Sequence, residues 1–198
     1  MNASNHTFHS SYREMVLEHL FIGEILKHCW QKQRPRVEIL KSQVDDSGYD
    51  IVLVADTFIR YVQLKSSFVG AATPRVTINI GLAEKPSGCV IWMQFDPKSL
   101  MFDSFLWFGG DKDQPLPSLE RFEVATHTKR NSLGVKTLRK NMRYVKKSAF
   151  TKLDTIADVV DVLFGSVAPD SSENDPTEYD PDTTSWPGKT PVRSEVRT

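Results

Sequence analysis

The sequence predicts an α/β domain in which a mixed sheet is flanked by helices. In residues 11–33 and 153–165, apolar residues recur at steps of three and four, which is typical of amphipathic helices. Between these segments lie short runs of β-branched and aromatic residues bounded by turn residues, and such runs indicate strands. A length of 198 residues suits one domain with appendages better than two full domains.

The first half of the chain predicts a helix, a single strand and a hairpin. The helix covers residues 11–33 and is stopped by Pro35. The strands expected after it are residues 36–43, 49–55 and 58–67. The last two are joined around Asp56-Thr57, which makes a hairpin by length. Both hairpin strands carry apolar residues on both faces, so we expect the hairpin within a sheet that is covered on both sides.

Two further strands and one ambiguous segment follow. Residues 88–96 and 102–109 are apolar runs that we expect to pair antiparallel. In residues 75–86, the alternation of apolar and polar residues favours a strand. The stretch Leu82-Ala83-Glu84-Lys85 would instead extend a helix, so both forms remain open for this segment.

The two ends of the chain differ from the central domain. Residues 1–10 are polar and are expected to be loose. The last helix, residues 153–165, is expected to end at Gly165, and it closes a domain of residues 11–165. Residues 166–198 hold five Pro, many Asp and Ser, and almost no aliphatic residue. Such a segment cannot bury enough apolar surface to offset its ordering entropy, which predicts a disordered acidic tail.

Composition excludes several classes of protein. The formal net charge is zero, so bulk charge indicates no partner. Cys29 and Cys89 lie far apart beside apolar neighbours, which indicates buried thiols rather than a zinc site. The first residues lack the pattern of a signal peptide, and no stretch approaches the roughly 18 apolar residues of a membrane span. We therefore expect a cytoplasmic protein without a membrane segment.

The hairpin brings three polar side chains together. If it turns on Asp56-Thr57, Asp50 lies directly opposite Gln63, with about 5 Å between the Cβ atoms. Lys65 follows Gln63 by two positions and therefore projects from the same face, roughly 7 Å along the strand. A carboxylate, an amide oxygen and an ammonium are thus predicted to converge on one side of an otherwise apolar hairpin.

This set of side chains has a chemical use. Mg²⁺ and Mn²⁺ prefer oxygen ligands, accept few of them from protein and keep several waters. Asp50 would supply charge, and Gln63 with the backbone carbonyl of residue 64 would supply neutral oxygens. Lys65 would orient the metal-bound water, lower its pKa or neutralise a phosphate oxygen. The metal would act as a Lewis acid and as a source of hydroxide for attack on a phosphodiester.

An acidic residue that begins one strand, followed by Gln63-Leu64-Lys65 on the next and preceded by a helix with glutamates, resembles the PD-(D/E)XK nuclease superfamily. The resemblance covers residues 11–96, about half the chain. It implies a restriction-endonuclease-like fold with the element order α-β-β-β-α-β. It also implies that Asp50 and Gln63 hold the metal and that Lys65 is the catalytic lysine. The departure is Gln63, where most members carry Glu or Asp.

The resemblance also implies a glutamate on the first helix that assists the metal or the water. The tract Phe21-Ile22-Gly23-Glu24 is similar to the Gly-Glu of Holliday-junction-resolvase-like members, which makes Glu24 the expected residue. Glu18 is the rival. If Glu24 instead lies at the edge of the apolar stripe, it simply faces solvent.

Residues 120–152 are strongly basic. If this segment is helical, four of its cations fall at steps of three and four and form one stripe, which suits a phosphate backbone. The nucleic-acid contacts expected here are Lys129, Arg130, Lys136, Arg139, Lys140 and Arg143. Binding of the chain's own acidic tail to this segment is the alternative and is compatible with it. His127 would be a further phosphate contact, although a lone loop histidine is more often merely exposed.

The function predicted from these features is metal-dependent endonuclease hydrolysis of DNA phosphodiesters. One alternative is a catalytically inactive nuclease fold that binds nucleic acid or a partner protein. Another is a plain protein-interaction module in which the Asp50–Lys65 pair is structural. A homodimer would let a small nuclease cut both strands, but no patch in the sequence identifies an interface. DNA and RNA are not distinguished at this stage.

Overall fold

The described part of the chain forms three layers, with helices on one face of a central sheet and a second sheet on the other. The computed structural model describes residues 10–41, 48–111, 113–127 and 136–166. Outside this part lie residues 1–9 of the predicted loose N-terminus, residues 167–198 of the predicted tail, and Lys129 and Arg130.

Two α-helices and two short 3-10 helices accompany nine strands in the described ranges. The helices are α1 (Ser10–Gln31) and α2 (Ile156–Phe164), with 3-10 turns at Ile80–Glu84 and Lys147–Ala149. The strands are β1 (Val37–Lys41), β2 (Ile51–Ala55), β3 (Phe58–Phe68), β4 (Arg75–Asn79), β5 (Gly88–Phe95), β6 (Phe102–Gly109), β7 (Val124–Thr126), β8 (Leu138–Lys146) and β9 (Thr151–Leu153).

The central sheet is mixed. Its strand order is β1-β2-β3-β5-β6-β9, and the second sheet has the order β4-β8-β7. Strands β3 and β5 pair in parallel, whereas every other neighbouring pair in both sheets is antiparallel. The predicted α/β class with a mixed sheet and flanking helices is confirmed. So are the hairpin, the antiparallel pairing of β5 with β6 and both helices, although the last helix begins at Ile156 and not at residue 153, because Thr151–Leu153 pairs as β9.

The connection between β3 and β5 differs from the order implied by the resemblance. In place of an α-helix, the chain forms β4 and then the 3-10 turn at Ile80–Glu84. The strand ends at Asn79, whose Oδ1 accepts a hydrogen bond from the Gly81 backbone N–H at 3.0 Å. This cap starts the 3-10 turn because it satisfies a backbone donor that the sheet no longer pairs. The segment left open between strand and helix therefore contains both.

The basic segment contains no helix over the residues that were expected to form a stripe. Leu138–Lys146 is strand β8, which pairs with β4 on one side and β7 on the other. The helical interpretation of Lys136, Arg139, Lys140 and Arg143 is therefore wrong. Pairing with β4 and β7 explains the difference, because sheet context overrides the helical spacing of the cations.

Two apolar clusters cover the faces of the central sheet. On the helix face, Leu17, Phe21 and Ile25 of α1 pack with Val62 and Ile91 of the sheet. The opposite face packs against the second sheet and its 3-10 turn through Ile78, Leu82, Val90, Phe108 and Val145. Within the described ranges, no helix combines the length and the apolar character that crossing a membrane requires.

Both cysteines are buried free thiols, as predicted. Cys29 lies at the end of the α1 core stripe and Cys89 lies on β5. Burial raises the pKa of Cys89 to about 12, and burial likewise raises the pKa of Cys29. Both side chains therefore act as small apolar residues.

Arg60 on β3 is a buried cation that ties the final helix to the sheet. Its exposed fraction is 2%. Its Nε and Nη2 donate to the carbonyls of Leu163 and Val162 at 2.9 and 3.0 Å, and Nη1 reaches the carbonyls of Gly110 and Asp111. Burial lowers the pKa of Arg60 from its ordinary value. The carbonyls at the end of α2 suit a positive charge because they carry the negative end of the helix dipole.

Replacing Arg60 with Met should destabilise the domain by roughly 3 kcal/mol, because several buried carbonyls would lose their donor. Arg60→Lys should recover little of this loss, since a single ammonium cannot replace the guanidinium fork. Urea unfolding measures both. Arg36→Met, at an exposed position, is the control and should change stability little; equal losses at positions 36 and 60 would contradict this role.

Candidate functional site

The hairpin has the register that the sequence predicts. Ile51 pairs with Val62 and Ala55 with Phe58, so the turn lies at Asp56-Thr57. The backbone N–H of Asp50 donates to the Val62 carbonyl at 2.9 Å. Asp50 therefore begins the hairpin opposite Gln63, as expected.

Strand β3 is much longer than β2, and Asp50 covers part of the difference. Strand β3 has 11 residues and β2 has 5. Beyond the end of β2, the backbone N–H of Leu64 donates to Asp50 Oδ2 at 2.6 Å. A carboxylate thus takes the place of a backbone carbonyl at this edge of β3. Because both backbone polar groups of a residue in an antiparallel ladder point to the same side, the Leu64 carbonyl also faces this edge.

A cleft of about 450 Å³ opens beside this edge, between α1 and the sheet. We call it the Asp50 cleft. It is lined by Ser11, Glu14, Met15, Glu18, Lys41, Asp50, Leu64, Lys65, Ser66 and Met93. The cleft therefore brings together the predicted acid and the predicted lysine, and it adds glutamates from the first helix.

Glu18 lines the Asp50 cleft, whereas Glu24 does not. Six residues at about 100° each place Glu24 about 120° around the helix from Glu18. The Glu24 carboxylate lies 2.6 Å from Lys27 Nζ, and its side chain is 41% exposed, against 15% for Glu18. The expectation that Glu24 joins Asp50 is therefore not met, and the rival position carries the glutamate near the site.

The cleft contains charges of both signs. Its lining residues include three that carry carboxylates, Glu14, Glu18 and Asp50, and two that carry ammonium groups, Lys41 and Lys65. Glu18 Oε1 accepts a hydrogen bond from Lys41 Nζ. The lysine at the end of β1 thus partly neutralises the helix glutamate, so the negative charge of the cleft is moderate.

Gln63 is more deeply buried than Asp50 and Lys65. Its exposed fraction is 6%, and it is not among the residues that line the cleft. Strand alternation puts the side chains of Gln63 and Lys65 on the face opposite Val62 and Leu64, which is the face turned away from α1. Among the described residues, no hydrogen-bond partner is found for Gln63 Oε1. A buried acceptor without a partner costs about 1–3 kcal/mol, so such an atom is normally satisfied by a protein group, a water molecule or an ion.

The donor atoms at this edge suit a weakly held hard cation better than a closed metal site. Within the described residues, no three His, Cys, Asp or Glu side chains come together to hold a metal ion. Mg²⁺ needs only one or two carboxylates, because it keeps several waters. Asp50 supplies one carboxylate, and Gln63 Oε1 is an oxygen that a cation would satisfy. Asp50, which lines the cleft, and Gln63, which does not, are the residues that would hold such an ion.

Among the predicted nucleic-acid contacts that the structure describes, Arg139, Lys140 and Arg143 lie on β8 of the second sheet and Lys136 just precedes it, and none of the four lines the Asp50 cleft. Lys136, Arg139 and Lys140 are exposed. Arg143 is half-buried, and its Nη1 donates to the backbone carbonyls of Lys140 and Met142 at 2.7 and 3.2 Å. Arg143 thus holds the strand in shape, while the other three present charge to solvent.

Sequence reasoning missed several residues of the cleft, of which Ser11, Glu14, Lys41 and Ser66 are polar. Ser11, Glu14, Met15 and Glu18 recur at steps of three and four, so they form one helical stripe that a search for polar periodicity would have found. Lys41 gives no such signal. Its place depends on the pairing of Lys41 with Ile51, next to Asp50.

No protein-family model, curated protein or solved structure matches the chain. The resemblance to the PD-(D/E)XK superfamily therefore stays a prediction that depends on the hairpin and its side chains.

Replacing Asp50 with Ala should lower the free energy of unfolding by about 1–2 kcal/mol, because the Leu64 N–H loses its acceptor. Asp50→Asn keeps an oxygen at the same place and should lose less than half of that. Urea unfolding of the two variants measures the difference. Equal losses would contradict the role of the carboxylate as a cap on the β3 edge.

Proposed function

We propose that this domain hydrolyses phosphodiester bonds of DNA with the help of Mg²⁺ or Mn²⁺. The observation that carries the proposal is the extension of β3 beyond β2. It brings the Asp50 carboxylate and Lys65 to one cleft, with Glu18 of α1 on the other side. An acid, a lysine and a hard-oxygen environment at one sheet edge suit phosphate chemistry.

Each side chain has a role in this proposal. Asp50 and Gln63 would hold the cation, together with the Leu64 carbonyl. When bound, such a cation supplies Lewis acidity and lowers the pKa of a water molecule. Lys65 would place positive charge beside a phosphate oxygen and stabilise the charge that develops there. Glu18 would orient water in the cleft, and Lys41 would hold its carboxylate in place.

A second candidate is a nuclease fold that binds nucleic acid without cutting it. It is favoured by the neutral, buried Gln63 where a second carboxylate would strengthen cation binding. The pairing of Glu18 with Lys41 points the same way, since it reduces the negative charge of the cleft. Both candidates would bind DNA through the same predicted basic residues, and they differ only in metal-dependent cleavage.

Lys65→Ala should slow cleavage of plasmid or branched DNA by about 100-fold in Mg²⁺ or Mn²⁺, because the transition-state charge loses a fixed cation. Glu18→Gln should slow it more than Glu24→Gln, a matched change on the same helix outside the cleft. Rates are read from gels under single-turnover conditions.

The outcomes of this cleavage assay separate the candidates. Cleavage that survives both Asp50→Asn and Lys65→Ala would put the chemistry elsewhere. Intact DNA binding without metal-dependent cleavage in the unaltered chain would select the second candidate. If the chain does not bind nucleic acid at moderate salt, the interpretation that remains is a protein-interaction module.

Gln63→Glu tests the cation directly. In EDTA, the buried carboxylate should lower the free energy of unfolding by about 2–3 kcal/mol, because its charge has no partner. Mg²⁺ or Mn²⁺ should restore more stability to this variant than it adds to the unaltered chain. Gln94→Glu makes the same change at a position that is also 6% exposed, on the neighbouring strand β5. Rescue by the metal at both positions, or at neither, would count against a cation between Asp50 and Gln63.

A further inference from the structure

A second concave surface lies on the three-stranded sheet, away from the Asp50 cleft. It is a shallow, open depression of about 500 Å³ that is lined by β8, the end of β7 and the end of β4. We call it the β8 concavity. The residues that matter for its chemistry are Asn79, His127, Arg139, Lys140 and Asn141.

An irregularity in strand pairing builds this surface. Ala125 of β7 pairs with Arg139, but the preceding residue, Val124, pairs with Arg143. Lys140, Asn141 and Met142 therefore form a bulge in the pairing of β8 with β7, although Met142 still pairs with Asn79 of β4 on the other side. Bulges of this kind redirect side chains at the edges of sheets. Here the three consecutive residues Arg139, Lys140 and Asn141 all line the concavity.

The bulge is held in shape by the chain itself. Arg143 Nη1 donates to the carbonyls of Lys140 and Met142, the first and last residues of the bulge. The backbone N–H of His127 donates to the Thr137 carbonyl at 2.9 Å, which fixes the histidine next to the start of β8. The concavity is thus preorganised, which reduces the entropy cost of binding a ligand.

The polar groups of the β8 concavity are those that recognise anions. Arg139 and Lys140 are cations, and His127, Asn79 and Asn141 can donate hydrogen bonds. No carboxylate is among the described residues that line it. The Asp50 cleft, in contrast, is lined by three carboxylates. The Asp50 cleft therefore suits a metal-assisted reaction, whereas the β8 concavity suits bare anionic groups of a ligand.

Asn79 connects the two surfaces. A Cβ placed on Gly48 would lie 2.5 Å from the Cβ of Asn79, so Asn79 packs directly on the turn that begins the hairpin. Gly48 precedes Asp50 by two residues and has φ +78°, a conformation that glycine adopts without strain. The concavity therefore borders the stretch of chain that carries the Asp50 carboxylate.

We infer that the β8 concavity binds the backbone phosphates of a DNA strand that continues into the Asp50 cleft. This inference rests on the proposed function for the direction of the strand, but the binding itself requires no cleavage. The contacts come from cations and amide donors, and Tyr, Trp and Phe are absent from the described lining. Such contacts recognise phosphates without reading the base sequence. In this proposal, the predicted contacts Arg139 and Lys140 bind phosphates in the β8 concavity together with His127 and Asn79.

The test measures DNA binding without metal. Fluorescence anisotropy of a labelled duplex in EDTA, over a range of salt concentrations, compares the unaltered full chain with the double variant Arg139→Ala/Lys140→Ala. We expect affinity to fall by about tenfold at low salt, and the slope of log K against log salt to decrease by about 2, since each lost phosphate contact removes about 0.9. Asn79→Ala and His127→Ala should each weaken binding by a smaller factor.

The control is Lys146→Ala. Lys146 is an exposed lysine on the same strand, outside the concavity. Its loss should change affinity less than twofold. Equal effects of Lys146→Ala and Lys140→Ala, or an unchanged salt slope in the double variant, would overturn the inference. The inference would also be overturned if polyglutamate of matched charge displaced the labelled duplex as effectively as unlabelled DNA does. Circular dichroism and urea unfolding establish that each variant is folded.

Failure of the inference and failure of the proposed hydrolysis are distinguishable. If the double variant loses DNA affinity but the unaltered chain never cleaves in Mg²⁺ or Mn²⁺, the phosphate site stands and hydrolysis fails. If the unaltered chain cleaves while the double variant binds and cleaves equally well, hydrolysis stands and the β8 concavity is not the site.

Discussion

The unequal lengths of β2 and β3 are the constraint on which the candidate site depends. Strand β3 pairs with β5 over Tyr61–Phe68, but with β2 only as far as Val62. The part of β3 beyond Val62 keeps one edge that β2 does not cover. Backbone donors at such an edge need acceptors, and Asp50 supplies one of them with its carboxylate. The same edge opens the space beside α1 in which Lys65 and Glu18 lie.

Two buried polar side chains on β3 illustrate opposite solutions to burial. Arg60 is satisfied by carbonyls from the end of α2 and from Gly110 and Asp111. Gln63, three residues later, has an amide oxygen for which the described residues offer no partner. Gln63 lies next to the edge that carries Asp50, and departures from local rules are expected at functional sites.

Local signals predicted much of the fold. The turn at Asp56-Thr57 sets the register of the hairpin, so the position of Asp50 opposite Gln63 followed from counting residues. The final helix and its end at Gly165 followed from periodicity and capping chemistry. Both predictions depend on residues close together in the chain, where sequence spacing translates directly into geometry.

Features that depend on distant partners were not predicted. The cations of β8 have helical spacing, and only pairing with β4 and β7 makes the segment a strand. The choice between Glu18 and Glu24 depends on which face of α1 meets the sheet, and both lie near the apolar stripe. Lys41 reaches the cleft because β1 pairs with β2. Local periodicity does not predict any of these features, since each depends on contacts between different elements of the fold.

The parallel pairing of β3 with β5 has a consequence for how the molecule is assembled. To pass from one of these strands to the other, the chain goes through β4, which belongs to the other sheet and is hydrogen-bonded to β8. The crossover that completes the central sheet is thus also an essential strand of the smaller one. Neither sheet can be cut away as an independent module, and both should form in one cooperative, comparatively slow folding step that is dominated by non-local contacts.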